Sequence, residues 1–95
     1  MSVGLRIRPQ AEADLREAFR WYEERHAGLG VEFLLEAERC ITLIQESPRL
    51  FAEIHQSVRR ALLKRFPYGI FYILEQETPI VLAVLHQARS PELWP

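Results

Sequence analysis

Four cations stand close together in the C-terminal half of the chain: Arg59, Arg60, Lys64 and Arg65. No acidic residue lies between Val58 and Leu74 to neutralise them. Guanidinium groups grip phosphate or carboxylate through paired hydrogen bonds, so the cluster fits an anionic partner. His86 and Arg89 follow. Imidazole titrates near neutral pH and can act as acid or base, and Arg89 can reach a phosphate from the same end of the chain. Metal-free cleavage of a ribose–phosphate backbone needs a base for the 2′-hydroxyl, cations for the phosphate and an acid for the leaving oxygen. His86, Arg89, Arg60 and Lys64 are the candidate set for that chemistry. Each also has a plainer reading. The four cations can be the solvated side of a strand. His86 can be a hydrogen-bonded structural histidine, and Arg89 the ion-pair partner of Glu92 or of the helical hairpin. Tyr68 and Tyr72 can stack on bases, but aromatics inside strands more often fill a core.

Other chemistries find little support. A lone cysteine, Cys40, permits neither an internal disulfide nor a cysteine metal cluster, and its neighbours Ile41, Leu43 and Ile44 mark it as a core thiol. His26 and His55 are isolated, so no metal and no cofactor is expected. Net charge is −1, which argues against broad, sequence-independent nucleic-acid binding. That balance hides an asymmetry: positions 1–57 sum to −3 and positions 58–95 to +2. Eleven of the twelve basic residues are arginine, which favours specific bidentate contacts over a diffuse basic coat. The N-terminus has no signal-like apolar stretch and no run approaches membrane-spanning length, so a cytoplasmic location is expected, with no membrane partner.

The elements that must position these groups follow from periodicity. Val3 to Arg8 alternates apolar and polar, a half-buried strand. Pro9 opens a helix to about His26, with Leu15, Ala18, Phe19 and Tyr22 on one stripe. In the Trp21-Tyr22 pair, one ring belongs in the core and one at its edge. Gly28 suits the left-handed position after a helix end. A second helix runs from about Val31 to Glu46 with Phe33, Leu34, Ala37, Cys40, Ile41 and Ile44 as its stripe, stopped by Ser47-Pro48. The short link makes an antiparallel hairpin. Arg49 to Gln56 reads as an irregular connection. Strands follow over Val58–Lys64, Tyr68–Leu74 and Ile80–His86. Tyr68–Leu74 is apolar on both faces and should be central. The expectation is one α+β domain over 1–95, a helical hairpin packed on a mostly antiparallel sheet in the order β-α-α-β-β-β.

These residues resemble the RelE/ParE toxins of type II toxin–antitoxin pairs. Ala13-Asp14-Leu15 with Trp21-Tyr22-Glu23, Leu29-Gly30 and Phe33 resembles their helical hairpin, and Pro48 with Phe51 the link after it. Arg59-Arg60, Leu62-Leu63, Arg65-Phe66-Pro67-Tyr68, Ile70-Phe71-Tyr72, Val84-Leu85-His86, Arg89, Pro91 and Trp94 resemble the C-terminal sheet and tail, nearest the ParE-like branch. The resemblance implies a growth-inhibiting protein held in a heteromeric complex with a cognate antitoxin. It leaves two targets open: DNA gyrase, as for ParE-like members, or messenger RNA on the ribosome, as for RelE-like endoribonucleases. RNA-cleaving relatives often carry a tyrosine or further cations near the chain end. Here the residues after His86 include no tyrosine and one cation, Arg89. The ParE-like, gyrase-binding reading is therefore preferred. For it, Arg59, Arg60, Lys64, Arg65 and Trp94 are the expected contact residues for antitoxin or target. An acidic antitoxin tail is expected over Arg59, Arg60 and Lys64, with apolar anchors between helices and sheet.

Overall fold

The computed structural model describes residues 4–88, 91, 94 and 95. Among them the chain forms a strand β1 (Arg6–Ile7), helices α1 (Pro9–Arg25) and α2 (Leu29–Glu46), and strands β2 (Glu53–His55), β3 (Val58–Leu62), β4 (Tyr68–Glu75) and β5 (Thr78–His86). The sheet order is β1-β5-β4-β3-β2, with β1 parallel to β5 and the other pairs antiparallel. The expected α+β layering and the central place of Tyr68–Leu74 both hold. Phe33, Ile44, Ile70, Tyr72 and Val81 are wholly buried between the hairpin and one face of the sheet. Tyr22 joins them while its neighbour Trp21 is half exposed, as the pairing of those two rings suggested.

Three departures from the sequence reading concern the sheet edges and the β3–β4 connection. β1 is only two residues long, and of the expected Val3–Arg8 strand Val3 lies outside the described residues. The expected irregular link contains β2, a short edge strand folded onto β3 through Gln56 and Ser57, both in the left-handed region at φ 42° and 70°. Neither turn residue is glycine, asparagine or aspartate, so the usual hairpin signal is missing. β3 stops at Leu62 rather than Lys64 because the Lys64 and Arg65 amides leave the ladder and donate to Glu36 Oε2, at 2.6 and 2.9 Å.

The hairpin bend depends on one carboxylate and two glycines. Glu23 accepts the Gly28 amide on one oxygen and the Gly30 amide on the other, at 2.8 and 2.9 Å. Gly28 stands at φ 91°, where L side chains are strained. Gly30 is buried against α1, and a Cβ there would sit 2.6 Å from the Phe19 carbonyl oxygen. That oxygen is backbone and cannot swing away. Gly30→Ala should cost about 2 kcal/mol or more, the scale of a forced shift in a packed interface. A urea midpoint unchanged by the substitution would refute the close approach.

Candidate functional site

Arg59 and Arg60 are neighbours in β3, so their side chains leave opposite faces of the sheet. Arg59 pairs with Tyr72 in register and lies on the helix side. Its side chain is only 12% exposed, donates to the Phe51 carbonyl at 2.6 Å and meets Glu53 at 3.3 Å. It holds the α2–β2 link in place. Tyr72 does the same from below, its hydroxyl donating to the Pro48 carbonyl at 2.7 Å. Tyr72 and Tyr68 both belong to the core or its margin.

Arg60 points to the open face. It pairs with Phe71, and its guanidinium lies 4.9 Å from the centroid of the Trp94 ring. Trp94 in turn packs on Phe71 at 5.6 Å between centroids. The end of the chain thus returns across the uncovered side of the sheet. Arg60, Leu62, Gly69, Phe71, Leu85 and Trp94 line a shallow groove there, with His86 and Gln87 at its rim. Leu62 is about half exposed beside it. The groove offers a cation, a half-exposed indole and an aliphatic surface, the composition of an anchoring interface.

His86 arrives from the other face. It pairs with Tyr68, packs edge-on against that ring at 5.2 Å, and its Nδ1 accepts the Ala88 amide at 2.9 Å. A neutral imidazole held this way carries its proton on Nε2. His86 also lines a cleft between α1 and β5 with Asp14, Glu17 and Trp21. Lys64 and Arg65 sit in the β3–β4 connection, against α2. Arg65 forms an ion pair with Glu32 at 2.6 Å, whose hydrogen bond, and then whose charge, push the guanidinium pKa above its ordinary value. The structure therefore gathers Arg60, Trp94 and the edge of His86 around one groove. It places Arg59, Lys64 and Arg65 elsewhere. Arg89 lies outside the described residues.

Two carboxylates that organise this region were not singled out as such in the sequence. Glu36 is 8% exposed, and the two amides it accepts fix the turn that carries Lys64 and Arg65. Asp14 accepts the Val84 amide at 2.9 Å, capping β5 past the end of β1. Both fall in phase with the apolar stripes of their helices, Glu36 between Phe33 and Cys40, Asp14 between Ala11 and Ala18. A carboxylate in phase with a buried stripe is the signal for such a role, since a buried charge needs donors.

Cys40 is buried, as its neighbours implied. Burial, with a smaller push from Glu36, raises its thiol to about 11. An unfolded chain ionises the thiol near the ordinary value of about 8.5. The folded state therefore binds the extra proton between those limits, and its stability falls as pH rises through them. About 1.5 kcal/mol should be lost between pH 8 and 10. Burial likewise raises Tyr22 and Tyr72, which act in the same direction at higher pH. Urea unfolding at both pH values tests this: Cys40→Ala should flatten the loss, and an equal loss in the variant would refute it.

A helical hairpin laid over one face of a mostly antiparallel sheet, with the chain end returning over the other, defines the class of fold. The sequence matches no curated protein. Residues 5–91 match the family model for the ParE toxin of the type II toxin–antitoxin system parDE. The chain belongs to that family. Among solved structures it is similar to the chromosomal ParDE toxin–antitoxin system from P. aeruginosa, with 16% identity, TM-score 0.78, and 90% of this chain and 96% of that one covered. It is also similar to the intact E. coli RelBE toxin–antitoxin complex, with 18% identity, TM-score 0.62, and 93% and 100% covered. The isolated E. coli RelE toxin gives 19% identity, TM-score 0.60, and 96% and 90% covered. At these identities the likeness is one of fold. No helix among the described residues is long and apolar enough to cross a membrane.

Proposed function

We propose that this chain is the toxin of a type II toxin–antitoxin pair, that it acts by binding DNA gyrase, and that a cognate antitoxin neutralises it. The family match and the toxin–antitoxin character of its structural neighbours support the antitoxin partner. The observation that carries the binding mode is the groove itself. Arg60, Trp94 and Phe71 form a stack flanked by exposed Leu62, a set of anchors for a protein surface. Of the other cations named in the sequence, Arg59 is engaged on Phe51 and Arg65 on Glu32. Cations tied to their own chain contribute less to a phosphate site.

One observation favours the rival reading, a ribosome-dependent endoribonuclease: Arg60 and His86 line the same groove. In that mechanism Arg60, with Arg89, meets the phosphate and His86 moves the proton. The purified chain decides between the two. Inhibition of gyrase supercoiling, reversed by the antitoxin and without cleavage of ribosome-bound messenger, is the expected result. Messenger cleavage with gyrase unaffected overturns it.

A further inference from the structure

Gly69 stands near the start of β4, the middle strand of the sheet. A glycine inside a strand costs backbone entropy and leaves a packing position empty, so it calls for a cause. The backbone conformation supplies none: among the described glycines Gly28 has a positive φ and Gly69 does not. Close approach of another backbone is the other usual cause, and it holds at Gly30, where the atom nearest an added Cβ is the Phe19 carbonyl oxygen. At Gly69 the three nearest atoms all belong to side chains. They are Arg60 Cγ at 3.1 Å, Arg60 Cδ at 3.2 Å and Leu62 Cδ2 at 3.3 Å from the added Cβ.

The strand register puts these residues on the open face. Gly69 pairs with Leu62 on one side and Leu85 on the other, and Arg60, paired with Phe71, is its diagonal neighbour. A side chain at position 69 would rise from the floor of the groove. Ordinary carbon contacts need about 3.5–4.0 Å, so the Arg60 stem lies lower on the sheet than a Cβ would allow. From there its guanidinium reaches 4.9 Å from the centroid of Trp94, the ring that packs on Phe71. Arg60 takes part in no ion pair among the described residues, so its charge is left to a partner.

We propose that Gly69 is the positioning residue of this groove: by lacking a side chain it seats Arg60 against Trp94 and sets how deeply a partner can enter. The role rests on the groove being the binding surface. A local cost without return in the fold is what a functional site exacts from its scaffold. A larger residue at this position lifts the Arg60 stem. The fold survives, because Arg60 and the half-exposed Leu62 can both swing toward water.

The isolated chain is tested first. Gly69→Ala should leave the circular dichroism spectrum unchanged and the urea midpoint at or above the parent's, because alanine restricts the unfolded chain where the native backbone tolerates it. The Arg60 δ-proton resonances, shifted upfield by the indole, should move toward those of an exposed arginine. With purified gyrase, the concentration giving half inhibition of supercoiling should rise about tenfold, less than the loss from replacing both Arg60 and Trp94. In an Arg60→Ala background the same Gly69→Ala change should alter it by less than about twofold, since no stem remains to be displaced. A urea midpoint lowered by Gly69→Ala in both backgrounds gives the glycine to the fold and overturns the proposal. Unmoved Arg60 resonances overturn it as well, and so does inhibition that Gly69→Ala leaves unchanged or lowers equally in both backgrounds. If the parent chain leaves gyrase untouched, the target is wrong, and the Arg60 resonances with the urea midpoints decide the role of Gly69.

Discussion

Glu36→Ala should lower the stability of the folded chain by about 3 kcal/mol, the largest effect expected of any single polar substitution here. Its carboxylate is nearly buried within α2 and accepts two backbone amides from the β3–β4 connection. Hydrogen bonds to a charged acceptor are each worth about 1.5–3 kcal/mol. Removing the carboxylate leaves two backbone donors without their acceptor at a site that is nearly buried. In a domain of this size the loss corresponds to a melting temperature lower by about 15 °C. Glu36→Gln keeps one acceptor oxygen and the shape, and should recover roughly half. The local readout is amide hydrogen exchange: Lys64 and Arg65 should lose protection while the β4–β5 ladder, which does not touch Glu36, keeps it. If the alanine variant melted within two or three degrees of the parent, about the shift of a surface change, the cap would carry little of the fold's stability.

The second large effect separates binder from enzyme. Arg60→Glu combined with Trp94→Ala should weaken gyrase binding, and growth inhibition with it, by about 30-fold or more, the scale of losing a paired anchor. His86→Ala should change either by less than about threefold. Arg60 and Trp94 stack on one another over Phe71 at the open face, where a partner can reach them. His86 is packed on Tyr68 and accepts the Ala88 amide, so it presents mainly an edge. Arg59 must stay unaltered in this test. Reversing its charge would break the hydrogen bond to Phe51 and confuse an interface effect with unfolding. An enzyme would give the opposite order, because losing a general acid or base costs about a hundredfold or more. Colony survival on induction, with circular dichroism of each variant, is the measurement. A folded His86→Ala variant without toxicity, together with messenger cleaved by the parent, reverses the assignment. Leu93, beside Trp94 in the sequence, lies outside the described residues and is left unaltered.

The sequence by itself determined the order of the elements, the hairpin, the central strand and the family. Those are written in local code: the spacing of Leu15, Ala18 and Tyr22, the break at Gly28, the stop at Ser47-Pro48, the two apolar faces of Tyr68–Leu74. Periodicity and backbone-restricted residues act within a few positions, so they can be read without knowing what lies across the fold. The sequence did not show which cation does what. Arg59 and Arg60 look alike in a row of letters, and alternation alone says only that they part company at the sheet. Which face the helices cover is decided by the hairpin's packing on Ile70 and Tyr72, and that sends Arg59 to Phe51 and Arg60 to Trp94. Glu36 and Asp14 likewise gain their meaning only from amides 28 and 70 residues away, and Trp94 from a ring more than twenty positions earlier. Contacts at such separations depend on how the layers close, which is a property of the whole chain and not of any window along it.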